Sequence, residues 1–161
     1  VFARSREAER RLSAQMAERK FHKAYLAVVH VVPDARGAFH DLLLRDPRRK
    51  MTLVTDQPGK DVKEAFLEYE RLSTVKGLSL VSVQLHTGRT HQIRVQFASR
   101  RHPLWGDGKY GSRIKGDLAL QSARLRFIHP DTGKVMDFRL PVPGTWPAWG
   151  IRQENDNGTT V

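Results

Sequence analysis

Cysteine is absent from this chain of 161 residues, and acidic residues are scarce beside basic ones. Without cysteine the chain has no disulfide framework and no thiolate metal site. Lys and Arg number 28 against 17 Asp and Glu, a formal charge of +11 at pH 7. Such an excess of cations attracts polyanions, so we rank a nucleic-acid partner above a merely soluble, well-charged surface.

Long apolar runs are also lacking. No stretch approaches the roughly 20 apolar residues of a membrane span, so we expect no membrane partner. The start, VFARSREAERR, is charged from Arg4 onward and does not read as a signal peptide. It also lacks Met and opens on an apolar pair typical of the end of a strand, so we expect a piece of a longer chain.

The first regular element that the pattern predicts is a helix. Ala8, Leu12 and Met16 recur at a spacing of four, which indicates an amphipathic helix of about four turns with these residues in the core. Ser5 is a suitable N-cap for it.

Short strand-like segments dominate the rest of the chain. Segments rich in β-branched and aromatic residues, bounded by turn residues, predict strands. These segments are residues 24–32, 38–46, 51–56, 65–74, 78–85, 119–128 and 135–142. The pattern predicts an α+β fold, a mostly antiparallel mixed sheet with a few flanking helices.

Residues 85–111, LHTGRTHQIRVQFASRRHPLWGDGKYG, concentrate arginines beside a glycine-rich loop. We expect Gly88 to permit a turn that a side chain would oppose, and Thr90 to cap a helix with His91 and Arg94 on one side. Alternation in the same residues leaves a strand open. Guanidinium groups suit phosphate or carboxylate, which indicates an anion site, but composition alone slightly favours a solvated basic face.

Familiar catalytic and metal-binding patterns are not found in this sequence. The sequence shows no recognisable Ser-His-Asp or Cys-His arrangement, and the spacing of its histidines matches no known zinc-binding motif. GDGKYG is not a P-loop, because its Lys stands between Gly and Tyr. We expect an ordered loop there, with Lys109 placed to contact a phosphate.

Four motifs, in order along the chain, make it resemble the RluA-type RNA pseudouridine synthases. The hallmark Thr-Gly-Arg-Thr-His-Gln-Ile-Arg stands unbroken at residues 87–94. The other three are KAYLAVV at 23–29, HPLWGDGKYG at 102–111 and LALQSARLRFIHP at 118–130. Gln96 stands where many members have His.

The resemblance divides the chain into two parts. It covers almost everything from residue 1 to 149, which we interpret as part of a pseudouridine-synthase-like catalytic core. Residues 150–161 we interpret as a polar C-terminal tail.

The resemblance also implies a reaction and a site. Such enzymes isomerise uridine to pseudouridine in ribosomal or transfer RNA, in the cytoplasm, without cofactor or metal, on a base drawn out of its stack. By this resemblance Tyr25 stacks on the target base and helps to remove its C5 proton, and Arg94 pairs with a catalytic Asp. The implied substrate-binding residues are Leu120 in the uracil pocket and Arg89, His91, Lys23 and Lys109.

The family's catalytic Asp lies in a His-Arg-Leu-Asp-x-x-Thr-Ser-Gly block, and no copy of it occurs here. We therefore expect an N-terminally truncated catalytic domain that is inactive by itself. Arg94 would then be a desolvated cation without its partner. An exposed sheet edge would favour dimerisation, strand exchange or a companion fragment. The alternative is a remnant of the family that binds structured RNA without catalysis.

Overall fold

The computed structural model describes residues 1–18 and 20–147. The helices are α1, Arg6–Ala17, and α2, Gln92–Ser99, with a 3₁₀ turn at Gly108–Tyr110. The strands are β1 His22–His30, β2 Arg36–Asp46, β3 Met51–Thr55, β4 Val62–Val75, β5 Leu78–Leu85, β6 Leu120–Ile128 and β7 Val135–Arg139. The tail predicted at 150–161 lies outside the described residues.

The strands of this described part form a seven-stranded sheet in the order β3-β2-β4-β5-β1-β6-β7. Each pair of neighbours in it runs antiparallel. Three hairpins, β2–β3, β4–β5 and β6–β7, account for half of the pairings, and β1 inserts between β5 and β6. The predicted α+β class with a mostly antiparallel sheet is confirmed.

Helix α1 begins where the sequence predicts. The Ser5 hydroxyl accepts a hydrogen bond from the Ala8 amide at 3.1 Å, which satisfies one of the free donors of the first turn. Ala8 and Leu12 are buried, but Met16 is 51% exposed, so its placement in the core is wrong. The reason is its position in the last turn, where it lines an open pocket beside the sheet.

Helix α2 covers one face of the sheet. Ile93 and Phe97 join the main core cluster with Ala27 and Val83 of the central strands. The Phe97 ring also lies 5.0 Å from that of Phe39 on β2 and 5.3 Å from that of Tyr69 on β4. Such burial of large apolar side chains fixes α2 over the sheet and hence fixes the arginines that α2 carries.

The opposite face has a smaller core of its own. Val28 and Leu80 are buried there, with Trp105 and Trp146 packed against their cluster. The sheet is therefore covered on both faces near β1. Neither of the described helices has the length and apolar character to cross a membrane.

Candidate active site

Arg94 on α2 is held by a carboxylate of the chain itself. Its Nε donates to Asp107 Oδ2 at 2.7 Å and its Nη2 donates to Oδ1 at 2.6 Å. Asp107 is 2% exposed, and its hydrogen bonds raise the pKa of Arg94. The expectation that Arg94 lacks a carboxylate partner is therefore wrong, because the turn after Gly106 brings Asp107 to it.

The turn before α2 is ordered by a side chain. Gln92 is buried, and its Oε1 accepts from the Arg89 amide at 3.0 Å and the Thr87 hydroxyl at 2.9 Å. Its Nε2 donates to the Phe66 carbonyl at 3.1 Å. Sequence reasoning missed this role, because a polar residue in the first turn of a helix is ordinarily solvated.

Two expectations about this turn are wrong. Gly88 does not have a positive φ, and a Cβ there would meet no atom within 4 Å, so the backbone does not require glycine. The residue at the N-cap is His91 rather than Thr90, with a left-handed φ of 55° and no side-chain cap. Thr90 instead offers its carbonyl to the Thr52 hydroxyl at 2.8 Å, which ties the turn to β3.

Tyr110 joins three elements at this end of α2. Its hydroxyl accepts from the Thr52 amide at 2.9 Å and lies 2.9 Å from His91 Nδ1. The Arg94 guanidinium sits 4.9 Å from the centre of its ring. Burial, followed by the charges of neighbouring cations, lowers the pKa of His91. His91 and Arg94 thus share one side of the helix, as their spacing predicts.

A second arginine of the stretch is likewise engaged. Arg100 donates from Nη1 and Nη2 to the two oxygens of Asp41 at 2.9 and 3.0 Å, and its guanidinium lies 4.0 Å from the centre of the Phe39 ring. Buried Gln96 donates to the same carboxylate at 2.7 Å. Arg94 and Arg100 therefore bind internal carboxylates, and the arginine-rich stretch is partly structural.

Tyr25 and Lys23 line a pocket of about 270 Å³ between α1 and strands β1 and β6. Leu12 and Leu125 supply apolar walls, and Ser122, the cross-strand partner of Tyr25, adds a hydroxyl. Tyr25 is half-buried. The pocket therefore combines an aromatic ring and a cation with apolar walls.

Leu120 lies on the same face of the sheet as Tyr25. It pairs with Ala27, two residues beyond Tyr25 on β1. Both Tyr25 and Leu120 are partly buried against the cluster that contains Phe97 of α2. The structure thus brings Tyr25 and Leu120 to one side of one core cluster. Arg94 lies on α2, as Phe97 does, and its guanidinium binds Asp107.

Arg89 and Lys109 are exposed and lie outside that pocket. Arg89 donates from Nε to the Glu64 carbonyl at 2.9 Å. Lys109 belongs to the 3₁₀ turn. Within residues 1–18 and 20–147, no three acidic or histidine side chains group together as metal ligands would.

Comparison with known proteins identifies the family of the chain. The family model described as RNA pseudouridylate synthase matches residues 1–99, and the chain belongs to this family. Among relatives, ribosomal large subunit pseudouridine synthase D of Zymomonas mobilis is 36% identical over 156 residues, covering 89% of this chain and 48% of that protein. An uncharacterized RNA pseudouridine synthase of Aquifex aeolicus is 37% identical over 158 residues, covering 91% and 50%. The chain spans about half the length of these relatives.

Solved structures share the fold. Human RNA Pseudouridylate Synthase Domain Containing 1 superposes with a TM-score of 0.72 at 24% identity, over 86% of this chain and 62% of that one. Human RNA Pseudouridylate Synthase Domain Containing 4 gives 0.69 at 18% identity, over 87% and 65%.

Proposed function

We propose that residues 1–149 are the larger, C-terminal part of the catalytic domain of an enzyme that isomerises uridine to pseudouridine in ribosomal or transfer RNA. In this reaction the bond between the sugar and N1 of uracil breaks, the base rotates, and C5 joins the sugar. C5 loses a proton and N1 gains one, so neither oxidant nor cofactor is needed. The observation that carries the proposal is Tyr25 in the wall of its pocket, beside Lys23.

The pocket suits one flipped base. Its volume of about 270 Å³ lies just below the roughly 300–1,000 Å³ typical of pockets for drug-sized ligands, and a single pyrimidine is much smaller than such a ligand. An aromatic ring such as that of Tyr25 stacks on any base, because every base has a π-face. Leu120 would add apolar contact from the same side of the sheet, and Lys23 would attract the adjoining phosphate.

Arg94 can serve a second carboxylate while it binds Asp107. The side-on pair uses the hydrogen of Nε and one hydrogen of Nη2. Both hydrogens of Nη1 and the second hydrogen of Nη2 therefore remain available for donation. Asp107 itself is unsuited to attack a sugar, because it is buried and both its oxygens face Arg94. We therefore assign the attacking Asp to another segment of the full protein and expect this chain to be inactive by itself.

The remaining predicted residues fit supporting roles. Exposed Arg89 and Lys109 would contact the RNA backbone. His91, bonded to Tyr110, would hold the loop in place. An enzyme acting on ribosomal or transfer RNA would work in the cytoplasm, where these RNAs function.

Strand β7 lies at an edge of the sheet, where a companion strand could pair with it. Val135 and Phe138 on this edge are more than half exposed, and exposed apolar edge strands favour pairing with another strand. We propose that β7 accepts either a fragment of the same protein or a second copy of the chain. Light scattering after gel filtration distinguishes the two: a dimer supports the second copy, and a monomer that binds the added remainder of the protein supports the first.

Tritium release from RNA labelled at C5 of uridine tests the activity. The full-length gene product should release tritium, and this chain alone should not. Release by the bare chain would contradict the assignment of the attacking Asp to another segment. If the full-length product binds RNA but releases no tritium from any RNA, the non-catalytic alternative is the better account.

A further inference from the structure

The hairpin turn between β2 and β3 is strongly basic. Its sequence, RDPRRK at 45–50, holds four cations against one carboxylate. That carboxylate, Asp46, accepts from the Arg49 amide at 2.9 Å and lies 3.8 Å from Arg49 Nε. Arg45, Arg48 and Lys50 are exposed and form no ion pair with any described residue.

The fold adds Lys109 to the same corner. Arg45 on β2 lies directly opposite Thr52 on β3. The Thr52 amide donates to the hydroxyl of Tyr110, the residue that follows Lys109. Burial is the largest cause that lowers the pKa of His91, and the positive charges of Arg45 and Lys109 lower this pKa further. Two elements far apart in sequence therefore place a cation each near the same histidine.

Some cations elsewhere on the surface are neutralised by carboxylates. Such pairs are Arg10 and Arg11 with Glu7, Arg36 with Glu70, Arg100 with Asp41, and Arg124 with Asp137. The hairpin differs in its density of charge, with four cations and one carboxylate within six residues. Like charges so close together repel one another in the folded state, and a bound polyanion removes that repulsion, which points to a polyanionic partner at the hairpin.

We infer that Arg45, Arg48, Lys50 and Lys109, here named the hairpin patch, bind the phosphodiester backbone of the substrate RNA beside the target nucleotide. This inference rests on the proposed function and extends it to a specific surface. Long flexible cations neutralise phosphates without reading base sequence. The patch therefore contributes affinity and orientation to binding, and leaves choice of the uridine to other residues.

The position of the hairpin patch decides which part of the RNA it reaches. In the sheet, β2 is separated from β1 by β4 and β5, which places it about 14 Å from the strand of Tyr25 at about 4.8 Å per strand. A nucleotide in the Tyr25 pocket cannot also reach the hairpin. The patch therefore contacts flanking nucleotides, across the face that carries α2.

A charge-matched pair of variants tests the inference. The patch variant carries Arg45→Gln, Arg48→Gln and Lys109→Gln, and the control carries Arg6→Gln, Lys76→Gln and Lys134→Gln. Each removes the same positive charge from exposed residues. Binding of a fluorescein-labelled RNA stem–loop with a uridine in its loop is followed by anisotropy over a series of KCl concentrations.

We expect the patch variant to bind about tenfold more weakly at low salt, with a slope of log Kd against log salt shallower by about two to three. The control variant should lose much less affinity, and its salt dependence should change much less. Restoring charge with Arg45→Lys, Arg48→Lys and Lys109→Arg should restore most of the binding. Circular dichroism verifies folding, and Lys109→Gln alone replaces the triple variant if that variant unfolds.

Two results overturn the inference, and they are distinguishable. If the wild-type chain binds RNA but the patch and control variants lose affinity and slope equally, the surface is wrong and the proposed function stands. If neither this chain nor the full-length gene product binds the stem–loop at any salt concentration, the proposed function fails together with the surface.

Discussion

The guanidinium of Arg94 and the carboxylate of Asp107 form a side-on pair, with nitrogen–oxygen distances of 2.7 and 2.6 Å. The Asp107 side chain is 1% exposed and that of Arg94 is 17% exposed. This pair joins helix α2 to the turn that carries Tyr110. It thereby fixes the one arginine that the family resemblance assigns to catalysis.

Removing the carboxylate of this pair should be costly. Asp107→Ala leaves a largely buried guanidinium without its partner, for which we expect a loss of about 3–5 kcal/mol in the free energy of unfolding. Asp137→Ala, which breaks the more exposed pair with Arg124, is the matched control and should lose far less. Urea denaturation of both variants measures the difference, and equal losses would contradict a structural role for Asp107.

Two tyrosine variants should separate structure from chemistry. Tyr110→Phe removes the acceptor of the buried Thr52 amide, so we expect it to lower the free energy of unfolding by about 1–3 kcal/mol. Tyr25→Phe keeps the ring, and no hydrogen bond of its hydroxyl is seen in the described part of the chain, so stability should hardly change. Thermal unfolding of the two proteins checks this, and a larger loss for Tyr25→Phe would refute it.

Two glycines of the motif stretch should respond differently to replacement by alanine. Gly106 has a φ of 73°, and a Cβ there would strike the Asp117 backbone, so Gly106→Ala should cost at least about 1–2 kcal/mol. Gly88→Ala meets open space and should stay within about 1 kcal/mol of the wild type. Comparable losses in chemical denaturation would show that the backbone at Gly88 does need glycine.

Stability should fall as the pH drops below the ordinary histidine pKa of 6.5. The pKa values of His91 and His30 are lowered in the fold, chiefly by burial, so the unfolded chain binds more protons than the folded chain between the lowered values and 6.5. Their contribution to stability is complete above about pH 6.5 and is lost progressively below it. His91→Asn, which suits the left-handed φ, should flatten this decline, whereas the same change at exposed His22 should not. An unchanged pH profile of urea unfolding for His91→Asn would contradict this.

The positions of the strands along the chain and of helix α1 are largely predictable from the sequence. Segments rich in β-branched and aromatic residues between turn residues locate the strands to within a few positions, and the segment predicted at 78–85 has the bounds of β5, Leu78–Leu85. The N-cap at Ser5 is a local signal, because the bond it makes reaches only to Ala8. Such features depend on residues that are close together in the sequence, so they can be predicted from the sequence alone.

The site is less predictable, because its partners come from separate elements. Asp107 finds Arg94 only when the loop after α2 folds back, and Thr52 meets Tyr110 only when β3 packs beside α2. The roles expected for Gly88 and Thr90 failed because buried Gln92 holds that turn through its side chain. The motif match identified the family and the residues to examine, but the network among them required coordinates.

The rate of tritium release by the full-length gene product carrying Tyr25→Phe tests the central claim most directly. We predict that the variant binds RNA as the wild type does but releases tritium at least about a hundredfold more slowly, because we propose that the Tyr25 hydroxyl helps to remove the proton from C5. Release at the wild-type rate would contradict the assignment of Tyr25 to the reacting base.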